Sequence, residues 1–401
     1  MVILVIICGL AILLPTYRNL PYYLSLHKAY LAGFMLFYLL SYYRELLVGN
    51  QLIDDISSQI TISTILFCGL FSYLFSHMIA NLVYLGWGDR LIRINSKREL
   101  AHDRNNKNYH LIIGSFIAIL LLFLLEQAVG SNSNIWRNFG TLVFVFATIL
   151  YWQFSSLTKL SKTNKILIFL TFVICVLLVS RFIVLYLFIP FVLYRITLDK
   201  KKLSIWLGIF FVFMILILGS VSKTISIVEQ YDIKGFYLMS EYFWLQVFLR
   251  IVTVDFLDTY SNLILIVRAY PNEVNYMYGE TLIGPLVNFI PRSVWPQKPE
   301  AFGYIIGQQF YPEMIGLSLA PSFLGELWAN FSFFGVITGS MICGVINNHI
   351  DFNLSRGSVK KIQTGVYLPF LVFILHRGDM LLLTVLMYSY LPLIFLTRAK
   401  L

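Results

Sequence analysis

The stretch Leu111–Leu125, LIIGSFIAILLLFLL, decides the class of this protein. It carries no charge and no proline, and it has no polar face. Leu142–Trp152 and Leu203–Ile217 (LSIWLGIFFVFMILI) read the same way. With their flanks, such stretches approach the roughly 20 apolar residues that cross the hydrocarbon core of a bilayer. The rest of the chain agrees. Of 401 residues, 58% are hydrophobic and only 12% charged, against about 25% charged in an average soluble domain. The fold class is therefore all-α, a polytopic membrane protein forming a single membrane domain over 1–401.

Outward from these stretches, the hydropathy pattern predicts about 11 helices: 1–16, 29–48, 59–87, 109–128, 138–154, 166–180, 182–196, 203–222, 323–348, 362–376 and 380–397. Met1–Leu14 lacks a basic start and a small-residue cleavage site, so it reads as a retained first helix. The linkers alternate in character. Of the 30 Lys and Arg, 20 lie in short basic loops, which the positive-inside rule assigns to the cytoplasm. The other linkers are Asn50–Ser57, Gly130–Asn134, a turn at Ser180–Arg181, a long segment and a turn at Arg377–Asp379. This puts the N-terminus outside and the C-terminus inside. Lys165–Arg195 reads as a tight hairpin, because a lone Arg181 in mid-membrane costs about 3 kcal/mol or more. The formal net charge of +10 is accounted for by these loops, so it does not point to nucleic acid.

One stretch breaks the pattern. Residues 223–329 hold half of the 20 acidic residues and more than half of the 12 prolines, and form a large loop on the outer side. Ten cations stand against the charge bias: Arg44, Arg137, Arg181, Lys223, Lys234, Arg250, Arg268, Arg292, Lys298 and Arg377. Guanidiniums at headgroup depth suit a phosphate or diphosphate, because the planar fork binds such oxygens bidentately. The competing reading is snorkelling to lipid phosphates. Arg250 and Arg268 flank an amphipathic stretch, Ile251–Val267, suited to the interface. Trp295 and Tyr304 supply faces that stack on sugar rings, or else form an aromatic belt. Acid–base candidates are Asp255, Asp258, Glu273, Glu280, Glu300, Glu313 and Glu326, led by Glu326 and Asp255. Ser322 followed by Glu326 also reads as a helix N-cap with an acid in the first turn.

Other chemistry leaves no trace. The four cysteines lie in apolar stretches, and no Cys/His cluster suggests a metal. There is no Asp-x-Asp, phosphate-binding loop or nucleophile elbow. No cofactor is expected.

Several motifs then gather. Ser180-Arg181 resembles the Gly-Ser-Arg turn of bacterial O-antigen and capsule repeat-unit polymerases of the Wzy type, with Phe182 where that turn has a further Gly. Tyr278-Gly279, Ile290-Pro291-Arg292-Ser293-Val294-Trp295-Pro296, Lys298-Pro299, Gly303 and Pro321-Ser322-Phe323-Leu324-Gly325-Glu326 are similar to that family's large periplasmic loop. His376-Arg377-Gly378-Asp379 is similar to its Arg-Gly-Asp turn. Arg268 to Gly279 and Arg292 to Gly303 repeat an Arg-x10-Gly spacing described for these polymerases. The resemblance covers the chain from about residue 165 onward.

The resemblance implies a GT-C-like helical bundle in the inner membrane, with its active site in the periplasm. It implies a glycosyltransferase that moves a growing glycan from undecaprenyl diphosphate onto a new lipid-linked repeat unit. Arg181, Arg250, Arg268, Arg292, Lys298 and Arg377 would hold the diphosphate and glycan, with Trp295 and Tyr304 on the sugars. Glu326, Asp255 and Arg292 would be catalytic. The partners would be undecaprenyl-diphosphate-linked oligosaccharide, membrane lipids and a chain-length regulator. Two other readings are an O-antigen ligase and a lipid-linked glycan transporter. The ligases use a histidine in the outer loop, and none of the six histidines lies between 223 and 329. A transporter calls for charges lining a mid-membrane path.

Overall fold

The computed structural model describes residues 1–13, 25–49, 55–88, 241–252, 257–287, 294–314, 317–355, 368–378 and 380. Among the described residues every regular element is a helix. They are α1 (Val2–Leu13), α2 (Leu26–Val48, with a π-helical turn at Met35–Leu40), α3 (Ile56–Gly88), α4 (Glu241–Val252), α5 (Thr259–Ala269), α6 (Glu280–Val287), α7 (Phe302–Phe310), α8 (Phe323–Ser355) and α9 (Leu368–Ile374). Three segments are long and apolar enough to cross a membrane: Leu26–Val48, Ile56–Tyr84 and Phe323–Ser355. The expected helices at 109–128, 138–154, 166–180, 182–196 and 203–222, and 380–397 beyond Met380, lie outside the described residues.

α2 runs antiparallel to α3 and to the long arm of α8. At one end Ser25 Oγ and the Leu26 and His27 N–H groups all donate to the Asp351 carboxylate, at 2.8, 2.7 and 3.2 Å. Tyr84 meets His349 and Phe352 at that end. At the other end Ser41 meets Leu257 and Tyr260, and Asp55 meets Arg268. α3 and α8 lie in parallel, joined by Asn347 to Tyr73 and Asn348 to His77. Their contact line is small: a Cβ on Gly344 would lie 2.5 Å from the Tyr73 carbonyl oxygen. Small residues let helix backbones approach where lipid leaves no hydrophobic drive for association.

α8 is not the single helix expected at 323–348. Phe331 (φ −140°, ψ 19°) and Ser332 (φ 55°, ψ −147°) leave helical geometry and reverse the chain. A Cβ on Gly339 would lie 2.5 Å from Leu327 Cδ1, and one on Gly335 2.5 Å from the Leu327 carbonyl oxygen. In a continuous helix, residues 327 and 339 would stand about 18 Å apart along the axis. The arms 323–330 and 333–355 therefore pack against each other as a hairpin. The long arm spans the bundle. The short arm dips back into it and begins at mid-depth, where Leu324 meets Tyr38 and Gly69.

The described parts of 223–329 carry α4, α5, α6, α7 and the start of α8. Ile251–Val267 is not one interfacial helix: α4 ends at Val252, and α5 begins at Thr259 with Leu263, Ile264 and Ile266 fully buried. α5 lies between α2, α3 and the short arm of α8, so its apolar side chains meet protein on more than one side.

Two substitutions test these packings. Gly335→Val forces the arms of α8 apart, and Asp351→Ala leaves the donors at the start of α2 unpaired. Each orphaned group costs about 1–3 kcal/mol. Both variants should melt below wild type in a thermal unfolding measurement on detergent-solubilised protein. Exposed Leu47→Ala on α2 serves as the control and should melt with wild type.

Candidate functional site

A helix that starts inside a membrane has backbone N–H groups that protein must satisfy. At the foot of the short arm of α8, Ser322 Oγ accepts the Gly325 N–H at 3.1 Å and Tyr38 Oη accepts the Leu324 N–H at 3.4 Å. The Ser322 and Phe323 N–H groups donate to the Arg377 and Leu375 carbonyls at 3.3 and 3.2 Å. Ser322 sits at φ 65°, a left-handed conformation that costs a non-glycine residue free energy and gathers at functional sites. The N-cap expected at Ser322 is present. Glu326 is 1% exposed, and its Oε2 accepts the Met380 N–H at 2.7 Å. It thus ties the short arm to the segment that follows Arg377.

The turn that carries Arg377 is seated by its neighbour. The His376 ring stands edge-on to Tyr30, Phe34 and Tyr38, with centroids at 4.3, 5.8 and 5.4 Å. Tyr30 and Phe34 belong to the first half of α2, and Tyr38 lies just past its middle. Beyond Tyr38 the helix continues to Val48, about 15 Å further at 1.5 Å per residue. The Arg377 turn was expected at the outer surface. The structure packs it against the foot of the short arm, beside the middle of α2.

Arg377 Nη2 pairs with Asp258 Oδ1 at 3.3 Å, with side-chain exposures of 10% and 28%. Asp258 immediately precedes α5, and its side chain makes no bond to its own helix end. Its backbone is held from both sides. Ser41 Oγ donates to the Leu257 carbonyl at 2.9 Å and accepts the Tyr260 N–H at 3.1 Å. Asn262 Nδ2 donates to the Ala320 carbonyl at 3.1 Å, joining α5 to the strand of loop that leads into the short arm. Arg377, Asp258 and Glu326 are far apart in sequence, and they meet around one re-entrant helix start.

The far end of the short arm is capped by the segment after α5. The Met277 and Tyr278 N–H groups donate to the Ala329 and Asn330 carbonyls at 2.9 and 3.2 Å. Asn330 Oδ1 accepts the Gly279 N–H at 2.8 Å, and its Nδ2 donates to Thr281 Oγ1 at 2.7 Å. Gly279 has φ 93°, and a Cβ there would meet the Phe331 ring at 3.1 Å. Glycine is required for both reasons.

The first Arg-x10-Gly spacing thereby acquires a structural role. Its arginine, Arg268, ends α5 and reaches Asp55 Oδ2 and Ser58 Oγ, each at 3.4 Å. The Ser58 and Ser57 hydroxyls hold the Asp55 carboxyl down at about 2, so it is charged toward Arg268 at neutral pH. Arg268 lies at the opposite end of α5 from Asp258, about 15 Å away. The structure does not gather it with Arg377. Trp295 and Lys298 lie on the segment 294–300, which runs beside Gly284 of α6, and Tyr304 lies on α7. Arg181, Asp255 and Arg292 lie outside the described residues, and Arg250 is placed only by its position on α4. Among the described residues no group of His, Cys, Asp and Glu is arranged to hold a metal ion.

The pairing of Asp258 with Arg377 carried no local signal in the sequence, since 118 residues intervene. Ser41 and Asn330 looked like ordinary polar residues on apolar helices.

Two curated proteins, the O-antigen polymerases of Salmonella typhimurium strain LT2 and of Salmonella typhi, are each 39% identical to this chain over 64 residues. The aligned stretch covers 15% of this chain and 16% of each relative. No protein-family profile matches the chain, and no solved structure matches it.

Ser41→Ala removes both the donor to Leu257 and the acceptor for Tyr260. It should lower the thermal midpoint by an amount equivalent to about 1–3 kcal/mol. Protection of the α5 amides, measured by hydrogen exchange, should fall while that of α3 is unchanged.

Proposed function

We propose that the protein is a membrane glycosyltransferase of O-antigen or related surface-polysaccharide synthesis. It polymerises undecaprenyl-diphosphate-linked oligosaccharide repeat units at the periplasmic face of the bacterial inner membrane. The similarity to two O-antigen polymerases over a short stretch supports the activity. The observation that carries the site is the convergence of Arg377, Asp258 and Glu326 at a helix start sunk in the bundle.

The chemistry follows from that arrangement. Breaking the glycosyl–diphosphate bond releases negative charge, and a fixed guanidinium stabilises it in a poorly hydrated site. Arg181 and Arg292 would join Arg377 on the donor diphosphate, while Arg250, Arg268 and Lys298 would line the approach of lipid and glycan. Trp295 and Tyr304 would stack on sugars. A carboxylate takes the proton of the acceptor hydroxyl. Glu326 and Asp255 are the candidates the sequence favours. The lipid tail would lie among the membrane helices, and a chain-length regulator would act from outside this chain.

Arginine gives paired hydrogen bonds that lysine cannot. A charge-assisted hydrogen bond is worth about 1.5–3 kcal/mol, so Arg377→Lys should slow chain extension about ten- to a hundredfold. The same holds for Arg181→Lys and Arg292→Lys. The assay is the ladder formed from lipid-linked repeat units by purified protein at matched levels. Wild-type ladders from all three variants would overturn the diphosphate site. Transfer to a lipid-A core instead of a ladder would make the protein a ligase, and movement of lipid-linked glycan without transfer would make it a transporter.

A further inference from the structure

We infer that Asp258, rather than Glu326, is the carboxylate that activates the acceptor hydroxyl. This rests on the polymerase reading above and names the base within it.

A general base must be reachable by the hydroxyl it serves. Glu326 is not. It is 1% exposed, and one of its oxygens holds the Met380 N–H at 2.7 Å, joining the short arm of α8 to the next segment. Asp258 is more open. Its side chain is 28% exposed and stands beside the arginine proposed for the leaving group. It occupies the cap position of α5, where an aspartate ordinarily turns back to bond its own helix. Here it makes no such bond, and the carboxylate points to Arg377.

Its backbone is fixed from more than one direction. Ser41 grips the residues on either side, and Asn262 ties α5 to Ala320 just before the re-entrant arm. A catalytic group has to hold its geometry through the reaction, and such supports provide that. The Arg377 pairing orients the carboxylate.

The step balances without any further reactant. The acceptor hydroxyl oxygen forms a bond to the anomeric carbon of the donor glycan, and its proton passes to Asp258. The bond from that carbon to the diphosphate oxygen breaks, and its electron pair leaves with undecaprenyl diphosphate. Asp258 then returns the proton to water. Arg377 bridges the two events, since its guanidinium holds the base and, in the proposed site, lies beside the leaving charge.

The test uses the full-length purified protein with undecaprenyl-diphosphate-linked repeat units extracted from cells that lack this chain. Asp258→Asn keeps the size of the side chain and removes its basicity. It should lower kcat by about 10²–10⁴-fold, the usual contribution of general-base catalysis. The donor KM and the inhibition constant of undecaprenyl diphosphate should stay near wild type. Asp258→Glu should retain part of the lost rate, because it restores a carboxylate. Glu326→Gln should act through stability, lowering the thermal midpoint more than the kcat of the folded fraction. Asp258→Asn with wild-type kcat, or with its loss confined to donor KM, overturns the assignment and leaves Asp258 as a seat for Arg377. The Arg377→Lys result then still bears on the diphosphate site by itself. An Asp258→Asn protein that does not fold moves the decision to Asp258→Glu, where unchanged donor KM with reduced kcat supports the base and raised KM alone overturns it. A wild-type protein that makes no polymer from these units overturns the polymerase reading and this inference together.

Discussion

A helix that begins inside a membrane must have its first N–H groups and last carbonyls paired by protein, because hydrocarbon offers neither donor nor acceptor. Most of the described structure answers that constraint at the short arm of α8. At its foot stand Ser322, Tyr38 and the carbonyls of Leu375 and Arg377. At its far end stand Met277, Tyr278, Gly279 and Thr281, gathered by Asn330. Apart from Ser322, these partners come from three distant parts of the chain, at Tyr38, 277–281 and 375–377. The arm is therefore both the least self-sufficient element and the one that brings α2, α5, α9 and the outer loop into register.

The rest of the bundle obeys the same limitation on membrane association. Lipid is as apolar as leucine, so helices hold together by close packing and polar contacts. α3 and α8 approach through glycine and serine. Asp351 caps the start of α2 from a different helix. Between these ends runs a column of rings. His27 stacks on His77 at 4.0 Å, Tyr30 stacks on Tyr73 at 3.6 Å, and Tyr30 meets His376 at 4.3 Å. The column ends under Arg377, so the turn that carries the arginine is braced by packing that begins at the opposite end of α2.

Among the described residues, three arginines are each paired with a carboxylate. Arg377 has Asp258, Arg44 has Glu45, and Arg268 has Asp55. Breaking a buried pair costs more than the pair contributes, since it leaves a charge without a partner. The three pairs differ in exposure, however. Asp55 and Arg268 are about equally open to solvent and serve to fix the end of α5. Arg377 and Asp258 are unequal, with the arginine held inside and the carboxylate nearer solvent. That asymmetry leaves the carboxylate the more accessible partner of the pair.

The sequence by itself determined the class of the protein. Leu111–Leu125 and its like are too apolar for a solvent-facing surface, and α1, α2, α3 and α9 appear near the places where hydropathy put them. The Ser322 cap was legible too, because a cap is a local bond between residues three or four apart. Glu326, Arg268 and Arg377 were legible as polar residues out of place, but their duties were not. Hydropathy counts apolar residues and is blind to direction, so 323–348 read as one helix although the chain reverses at Phe331 and Ser332. Only tertiary structure could seat the Arg377 turn at the foot of the short arm, bind Arg268 to Asp55 and place Asp258 against Arg377. Those relations depend on which backbone groups must be paired inside the membrane, and the partners that pair them lie tens to hundreds of residues away.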